Sequence, residues 1–146
     1  MKKILVLCSA NSCRSQMAEG YLKFFAGDNA LVDSAGISAD GIHAMTIKVM
    51  AEDNIDITES ESKSVDRFAG NHFDYLITVC NAADQVLPND ISYSNRLHFD
   101  IPDPAKVEGS EEVRLKAFRN TREIVKKRML KFIGQIFTNK AAVVTG

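Results

Sequence analysis

The sequence contains no tryptophan, little proline and little cysteine, and its charges almost cancel. Three prolines and no low-complexity segment in 146 residues give no sign of a disordered tract. Lys plus Arg total 18 and Asp plus Glu total 19, so the net charge is −1, which argues against a dedicated nucleic-acid binder. Any anion must therefore be held by local geometry. A chain of this length suits one domain with one core.

The three cysteines are odd in number and make a poor disulfide framework, so a reducing cytoplasm is the expected location. The apolar run at the N-terminus ends at Cys8, and polar residues follow at once, which makes it too short for a signal peptide. No stretch approaches the roughly 20 apolar residues that a membrane helix needs. We therefore expect no membrane association.

Apolar runs alternate with amphipathic segments along the chain. The runs predict strands at residues 4–7, 30–36, 73–80 and 96–99. Apolar residues at three- and four-residue steps predict helices at residues 15–27, 44–53 and 110–137, with a short helical turn near 65–69. This order predicts a single-domain α/β fold, a three-layer sandwich with a four-stranded parallel sheet. The predicted domain spans residues 1–138, and residues 139–146 are expected to form a frayed tail.

Sheets of this kind place their functional sites at the carboxyl ends of the strands. Three segments belong to that edge: the loop that begins at Cys8, the residues after Cys80, and the loop that contains Asp103. We therefore expect their side chains to contribute to one site.

The loop between the first strand and the first helix carries the strongest chemical signal. It reads Cys8-Ser9-Ala10-Asn11-Ser12-Cys13-Arg14-Ser15. Successive N–H groups in such a loop can form an anion-binding nest, and the helix N-terminus adds its positive dipole end. Arg14 can offer two parallel donors to one oxyanion. Cys8 would then lie under the central atom of the anion, with its thiolate stabilised by the same dipoles and by the Ser15 hydroxyl.

Simpler interpretations exist for each residue alone. A cysteine at the end of a buried strand is usually inert packing, and an arginine at a helix start is usually just exposed. The joint pattern Cys-x5-Arg-Ser, placed between a strand and a helix, favours the functional interpretation.

Together with residues 16–20, this loop resembles the signature of the low-molecular-weight protein tyrosine phosphatases and of the thiol-linked arsenate reductases that share their fold. Further matches are Ser34-Ala35-Gly36, Asn54-Ile55-Asp56-Ile57, Thr78-Val79-Cys80 and Asp103-Pro104. The resemblance covers residues 1 to about 137. It implies a phosphotyrosine protein phosphatase I-like fold and a cysteine-nucleophile enzyme that acts on tetrahedral oxyanions.

The resemblance also implies roles for individual residues. These are nucleophile for Cys8, oxyanion clamp for Arg14, thiolate support for Ser15, general acid for Asp103, and loop support for Asn11 through a hydrogen bond to Ser34. Taken alone, Asp103 also fits an ordinary turn residue before Pro104. Its position after the fourth predicted strand, downstream of the loop motif, favours the catalytic role.

The cysteines distinguish the two branches of this family. A phosphatase hydrolyses a phosphocysteine with water, whereas a reductase needs a second thiol. Cys80 matches the resolving cysteine of the reductases, although a small buried strand residue is the alternative. Thioredoxin-coupled reductases carry a further cysteine where this chain has Leu87. Cys13 is either a partner for a protective disulfide with Cys8 or a small residue at a helix start.

The residues after Asp103-Pro104 test the phosphatase branch. Eukaryotic-type members place a tyrosine pair there, whereas this chain has Ala105 and Lys106, so no platform for phosphotyrosine is evident. We therefore predict an arsenate reductase that uses thiols. A low-molecular-weight phosphatase is the alternative, and a non-catalytic phosphate-binding module is a third.

No tightly bound cofactor is predicted. The expected partners are arsenate, phosphate or a phosphorylated substrate, with thioredoxin or glutaredoxin as candidate reductants. Some reductases bind potassium through groups that match Asn11, Glu19 and Ser34. Here Lys63 stands where an acidic partner is expected, so its ammonium can replace the ion.

Two weaker signals remain. The histidines at positions 43, 72 and 98 are scattered and show no ligand spacing, so no metal site is predicted. The last predicted helix is basic through Arg119, Arg122, Lys126, Lys127, Arg128 and Lys131. A solvated helix face is the usual explanation, and docking of an acidic partner is the alternative.

Overall fold

Four parallel strands form one sheet in the order β2-β1-β3-β4. The computed structural model of the protein describes residues 1–85, 87 and 90–137. The strands are β1 (Lys2–Cys8), β2 (Ala30–Gly36), β3 (His72–Thr78) and β4 (Ser92–His98). The helices are α1 (Arg14–Ala26), α2 (Ala44–Glu52), α3 (Asn81–Gln85) and α4 (Glu111–Phe137). Short 3-10 turns occur at Gly27–Asn29, Val65–Phe68 and Pro104–Lys106. The tail expected at 139–146 lies outside the described residues.

The predicted α/β class with a four-stranded parallel sheet is confirmed. β1 is central, and Ile4, Leu5 and Val6 are fully buried because both faces of the sheet are covered. Helix α4 buries the apolar side predicted from its spacing, including Phe118 and Met129. The sheet therefore forms the centre of the core, and the carboxyl ends of its strands position the loops.

Two predicted strand boundaries are wrong. β4 begins at Ser92 rather than at residue 96, because its first half consists of exposed polar side chains that give no apolar signal. β3 ends at Thr78, and the chain then turns, so that Cys80 lies directly before α3. Helix α3 has five residues, too few to produce a periodic pattern.

The basic side of α4 is partly committed to contacts within the molecule. Arg119 and Arg122 both donate to Glu52 at the end of α2, with shortest distances of 2.7 and 2.9 Å. Lys126 donates to Asp53 at 2.9 Å. These pairs fasten α4 to α2, so part of the basic pattern has a structural explanation.

We predict that Glu52→Gln lowers the free energy of unfolding by about 1 kcal/mol at pH 7, after allowance for solvent screening. The hydrogen bond from Arg119, supported by Arg122, lowers the pKa of Glu52 to about 2. A carboxylate with a depressed pKa stabilises the fold above its unfolded value near 4.5 and loses this effect as the pH falls toward 2. Urea unfolding of Glu52→Gln and of wild type, at pH 7 and at pH 3, measures this contribution to the free energy of unfolding. Glu59→Gln, at an exposed loop position, is the control. If Glu52→Gln and wild type differ in unfolding free energy as much at pH 3 as at pH 7, the stabilising role assigned to the ionised Glu52 carboxylate is wrong.

Candidate active site

The loop from Cys8 to Arg14 curls between β1 and α1 with its carbonyl oxygens turned outward. Four of them accept hydrogen bonds from the segment after β2: Cys8 from Ile37, Ser9 from Ser38, Ala10 from Asp40, and Ser12 from His43, at 2.9 to 3.2 Å. The structure shows no cis peptide bond among the described residues, so the N–H that follows each of these carbonyls points the opposite way. An anion site requires N–H groups turned to one side in this way.

Asn11 holds the shape of this loop. Its backbone is left-handed, with φ of 51°, a conformation that asparagine tolerates better than most residues. Its fully buried amide donates to the Ser15 and Ser34 hydroxyls at 2.7 and 2.9 Å. Its side-chain oxygen accepts from the Lys63 backbone at 2.7 Å and from the Gln16 amide at 2.9 Å. The predicted contact between Asn11 and Ser34 is thus present.

The hydrogen bonds behind Cys8 have a defined direction. Glu19 accepts the Ser34 hydroxyl proton at 2.7 Å, because an ionised carboxylate cannot donate. Ser34 must then receive its bond from Asn11, which also donates to Ser15. The Ser15 hydroxyl, which accepts from Asn11, lies 2.8 Å from the sulfur of Cys8, and either of these two atoms can donate to the other.

A small cavity opens above Cys8. Its volume is about 80 Å³, and it is lined by Cys8, Ser9, Ala10, Ser12, Cys13, Arg14, Asp103 and Ala105. Arg14 donates to the Ile101 carbonyl at 3.0 Å, and its second terminal nitrogen lies 3.6 Å from the Asp103 carboxylate. The loop after β4 thus brings Asp103 to the loop that begins at Cys8, as expected for segments at one sheet edge.

The other two cysteines occupy different positions around this cavity. Cys13 is one of its lining residues, and burial raises the pKa of the Cys13 thiol, which keeps it protonated at neutral pH. Cys80 does not line the cavity. Its sulfur lies 3.3 Å from the hydroxyl oxygen of Ser9, which does. Cys80 is therefore separated from the cavity by one side chain, that of Ser9.

A family model described as "Low molecular weight phosphotyrosine protein phosphatase" matches residues 3–142. The chain belongs to this family. The resemblance predicted from the loop and the later motifs is therefore confirmed.

Members of the family that are similar to this chain include arsenate reductases. One from Halalkalibacterium halodurans is 42% identical over 131 residues, which cover 90% of this chain and 94% of that protein. One from Bacillus cereus strain AH187 is 43% identical over 131 residues, with coverage of 90% and 93%. A solved structure described as "An arsenate reductase in the phosphate binding state" superposes with a TM-score of 0.79 at 31% identity, covering 93% of this chain and 99% of that one. Vibrio vulnificus Wzb in complex with benzylphosphonate shares the fold, with a TM-score of 0.73 at 21% identity over 92% and 99% of the two chains.

In this family member, the back of the loop carries a cluster of charges around the buried Glu19 carboxylate. The Lys63 ammonium lies 3.5 Å from the Glu19 carboxylate and 3.1 Å from the Glu61 carbonyl. Lys23 contacts the other oxygen of Glu19 at 2.8 Å. Side chains of the protein itself therefore neutralise Glu19, whose side chain is 3% exposed.

Two residues that support the loop lie in matched motifs, but the sequence assigned no role to either. Gln16 is 1% exposed, and its amide nitrogen donates to both oxygens of Asn11 and to the Glu61 carbonyl. A polar residue in the first turn of a helix normally faces solvent, so only the fold reveals this role. At position 36 the fold requires glycine, because the loop backbone packs directly against the α-carbon and leaves no room for a β-carbon.

The three histidines have local contacts. His43 accepts from the Met45 N–H at the start of α2, His72 lies between the Ser92 and Ser94 hydroxyls, and His98 contacts Thr78 and Asn81. Within residues 1–85, 87 and 90–137, no three His, Cys, Asp or Glu side chains are grouped as metal ligands would be. None of the helices in this part of the chain has the length and apolar character that crossing a membrane requires.

Proposed function

We propose that this protein reduces arsenate to arsenite with thiols as the source of electrons. The observation that carries the proposal is the position of Cys80, whose sulfur lies 3.3 Å from the Ser9 hydroxyl at the wall of the Cys8 cavity. A second thiol at this position is needed by a reductase and not by a phosphatase. The arsenate reductase relatives, 42% identical over most of the chain, support the same conclusion.

In the first step, arsenate enters the cavity and is held by the inward N–H groups and by Arg14. The Cys8 thiolate, which accepts the Ser15 proton as a hydrogen bond, attacks arsenic and forms a sulfur–arsenic bond. One arsenate oxygen departs as water, with a proton supplied by Asp103. Arg14 must turn from the Ile101 carbonyl and Asp103 toward the bound anion.

In the second step, the Cys80 thiolate attacks the sulfur of Cys8 and forms a disulfide. The electron pair of the sulfur–arsenic bond passes to arsenic, which is reduced from As(V) to As(III) and leaves as arsenite. The two thiols together supply two electrons. An external dithiol, or two single thiols, must then return two electrons to regenerate Cys8 and Cys80.

We propose thioredoxin or glutaredoxin as that reductant. The sequence has three cysteines in all, and the position of a third relay cysteine holds Leu87, so the reductant must act on the disulfide of Cys8 and Cys80 itself. Because the reaction consumes reduced thiols, a cytoplasmic location suits it. None of these steps requires a tightly bound cofactor, and we propose that the Lys63 ammonium takes the place of a potassium ion beside Glu19.

Phosphate-monoester hydrolysis is the second candidate function. The description of the matching family model favours it. The position of Asp103 beside Arg14 also fits it, because hydrolysis and arsenate reduction share the first step. Water would then hydrolyse a phosphocysteine in place of attack by Cys80. None of the described residues that line the cavity is aromatic, so we expect small substrates rather than phosphotyrosine. A phosphate-binding module without turnover is the least favoured alternative.

Cys80→Ser separates the two functions. We expect this variant to lose arsenate reduction by about a hundredfold or more, measured with thioredoxin or with glutathione and glutaredoxin. Hydrolysis of a chromogenic phosphate ester should change by no more than about twofold, because the first step needs only Cys8, Arg14 and Asp103. Reduction and hydrolysis that respond equally to Cys80→Ser would make Cys80 structural and the protein a phosphatase.

A further inference from the structure

The carbonyl of Ser12, in the loop that begins at Cys8, accepts two hydrogen bonds from the start of α2. The His43 N–H donates to it at 3.2 Å, and the Thr46 hydroxyl also donates to it at 3.2 Å. His43 is the residue directly before the helix, and Thr46 belongs to its first turn. The first turn of α2 thus holds the loop from its outer side.

The hydroxyl of Thr46 is not needed for packing. Thr46 is 0% exposed, and a buried hydroxyl carries a desolvation cost that the isosteric valine would avoid. The Ser12 carbonyl already has a backbone donor in the His43 N–H, so a second donor is not required to satisfy it. The reason for the hydroxyl therefore lies in what it does to the loop.

His43 fixes the turn from which both donors come. Its Nδ1 atom accepts the Met45 N–H at 3.0 Å and so caps the helix, while its carbonyl accepts the Thr46 N–H at 3.0 Å. The imidazole also packs against the Phe118 ring, with 4.7 Å between the ring centroids. Burial lowers the pKa of His43, so at neutral pH the ring is uncharged and able to accept. Thr46 is therefore presented to the loop from a fixed position.

The peptide between Ser12 and Cys13 connects these donors to the cavity. This peptide is trans, so the Cys13 N–H points away from the two groups that donate to the Ser12 carbonyl. Ser12 and Cys13 both line the cavity above Cys8. Two donors on one carbonyl fix the plane of the peptide and draw electron density toward its oxygen, which makes the N–H of the same peptide a stronger donor.

We propose that Thr46 is a positioning residue for the oxyanion. Its hydroxyl fixes and polarises the Ser12–Cys13 peptide, and the Cys13 N–H in consequence binds the anion more tightly. The inference rests on the proposed function, which places arsenate or phosphate in this cavity. Thr46 also forms a hydrogen bond with the Cys13 thiol, so the experiment has to separate the peptide from the thiol.

Binding of inorganic phosphate tests the proposal without turnover. Isothermal calorimetry in a Cys8→Ser background should show that Thr46→Val weakens phosphate binding about fivefold, since one hydrogen bond of modest strength is lost. Thr46→Ser keeps the hydroxyl and should bind phosphate within about twofold of the background. Thr121→Val is the matched control, because it removes the hydroxyl of another buried threonine, on α4. Equal effects of Thr46→Val and Thr121→Val would overturn the proposal.

Cys13→Ala separates the peptide from the thiol. In this background Thr46→Val should weaken phosphate binding by the same factor, because the backbone N–H at position 13 remains. An effect of Thr46→Val that disappears together with the thiol would overturn the proposal.

The Cys13 amide resonance gives a second measurement, which needs no substitution at Thr46. In the Cys8→Ser protein its proton signal should move downfield when phosphate is added, as expected when an N–H donates to an anion. A signal that stays in place would refute the role of the Cys13 N–H. Weaker phosphate binding in Thr46→Val, together with a wild type that reduces no arsenate, would refute the proposed function and leave the role of Thr46 standing.

Discussion

Cys8→Ser is expected to abolish both arsenate reduction and phosphate-ester hydrolysis, with kcat lowered by at least about 10⁴-fold. Neither reaction can begin without the thiolate, and a serine hydroxyl does not ionise near neutral pH. The cavity itself should survive, because its N–H donors and Arg14 are unchanged. Phosphate binding, measured by isothermal calorimetry, should therefore stay within a fewfold of wild type.

Cys13→Ser is the matched comparison, since it removes a sulfur from the same loop without removing the proposed nucleophile. We expect that variant to keep most of its turnover. Turnover retained in Cys8→Ser would refute the assignment of the nucleophile. A wild-type protein that binds phosphate tightly and turns over neither substrate would instead support the non-catalytic module.

Gly36→Ala is expected to destabilise the protein by about 3 kcal/mol and to reduce turnover by about a hundredfold. A β-carbon at position 36 would lie 2.6 Å from the Asn11 nitrogen and 2.8 Å from the Ala10 carbonyl carbon. Both are backbone atoms of the loop that begins at Cys8, so the clash can be relieved only by moving this loop or β2. Thermal or urea unfolding measures the first effect, and kcat/KM measures the second.

Gly20→Ala is the control for this substitution. Its added β-carbon would meet the end of the flexible Met50 side chain at 2.9 Å, which can turn away at small cost. In addition, alanine is favoured over glycine within a helix. A Gly36→Ala protein no more affected than Gly20→Ala would show that the loop tolerates displacement.

Much of the fold could be predicted because it depends on local patterns. Buried parallel strands such as β1 are continuously apolar, and the long helix α4 repeats its apolar residues at helical steps. The start of β4 could not be predicted. An exposed edge strand pairs through its backbone, so its side chains can be polar and need not show an apolar pattern. Helix α3 was missed for a related reason, since polar contacts to β3 and β4 fix a segment that is too short to show a period.

Part of the candidate site could likewise be predicted from the sequence, and part of it could not. Cys8, Arg14 and Ser15 lie within eight consecutive residues that join β1 to α1, so their proximity in space could be predicted from their spacing in the sequence. The direction of the hydrogen bonds from Asn11 through Ser34 to Glu19 depends on tertiary contacts between α1 and β2. The roles of Gln16 and of the Ile101 carbonyl likewise follow only from the folded chain.

If the N–H groups of the loop bind the anion as proposed, they have a consequence for substrate choice. Peptide donors and one guanidinium recognise the shape and charge of a tetrahedral anion, and arsenate and phosphate share both. The cavity cannot distinguish them well on entry, so phosphate should compete for it. Discrimination must come later and be kinetic, because only an arsenic adduct can accept an electron pair when Cys80 attacks. On the proposed mechanism, selectivity for arsenate over phosphate thus arises after binding, because arsenic can be reduced and phosphorus cannot.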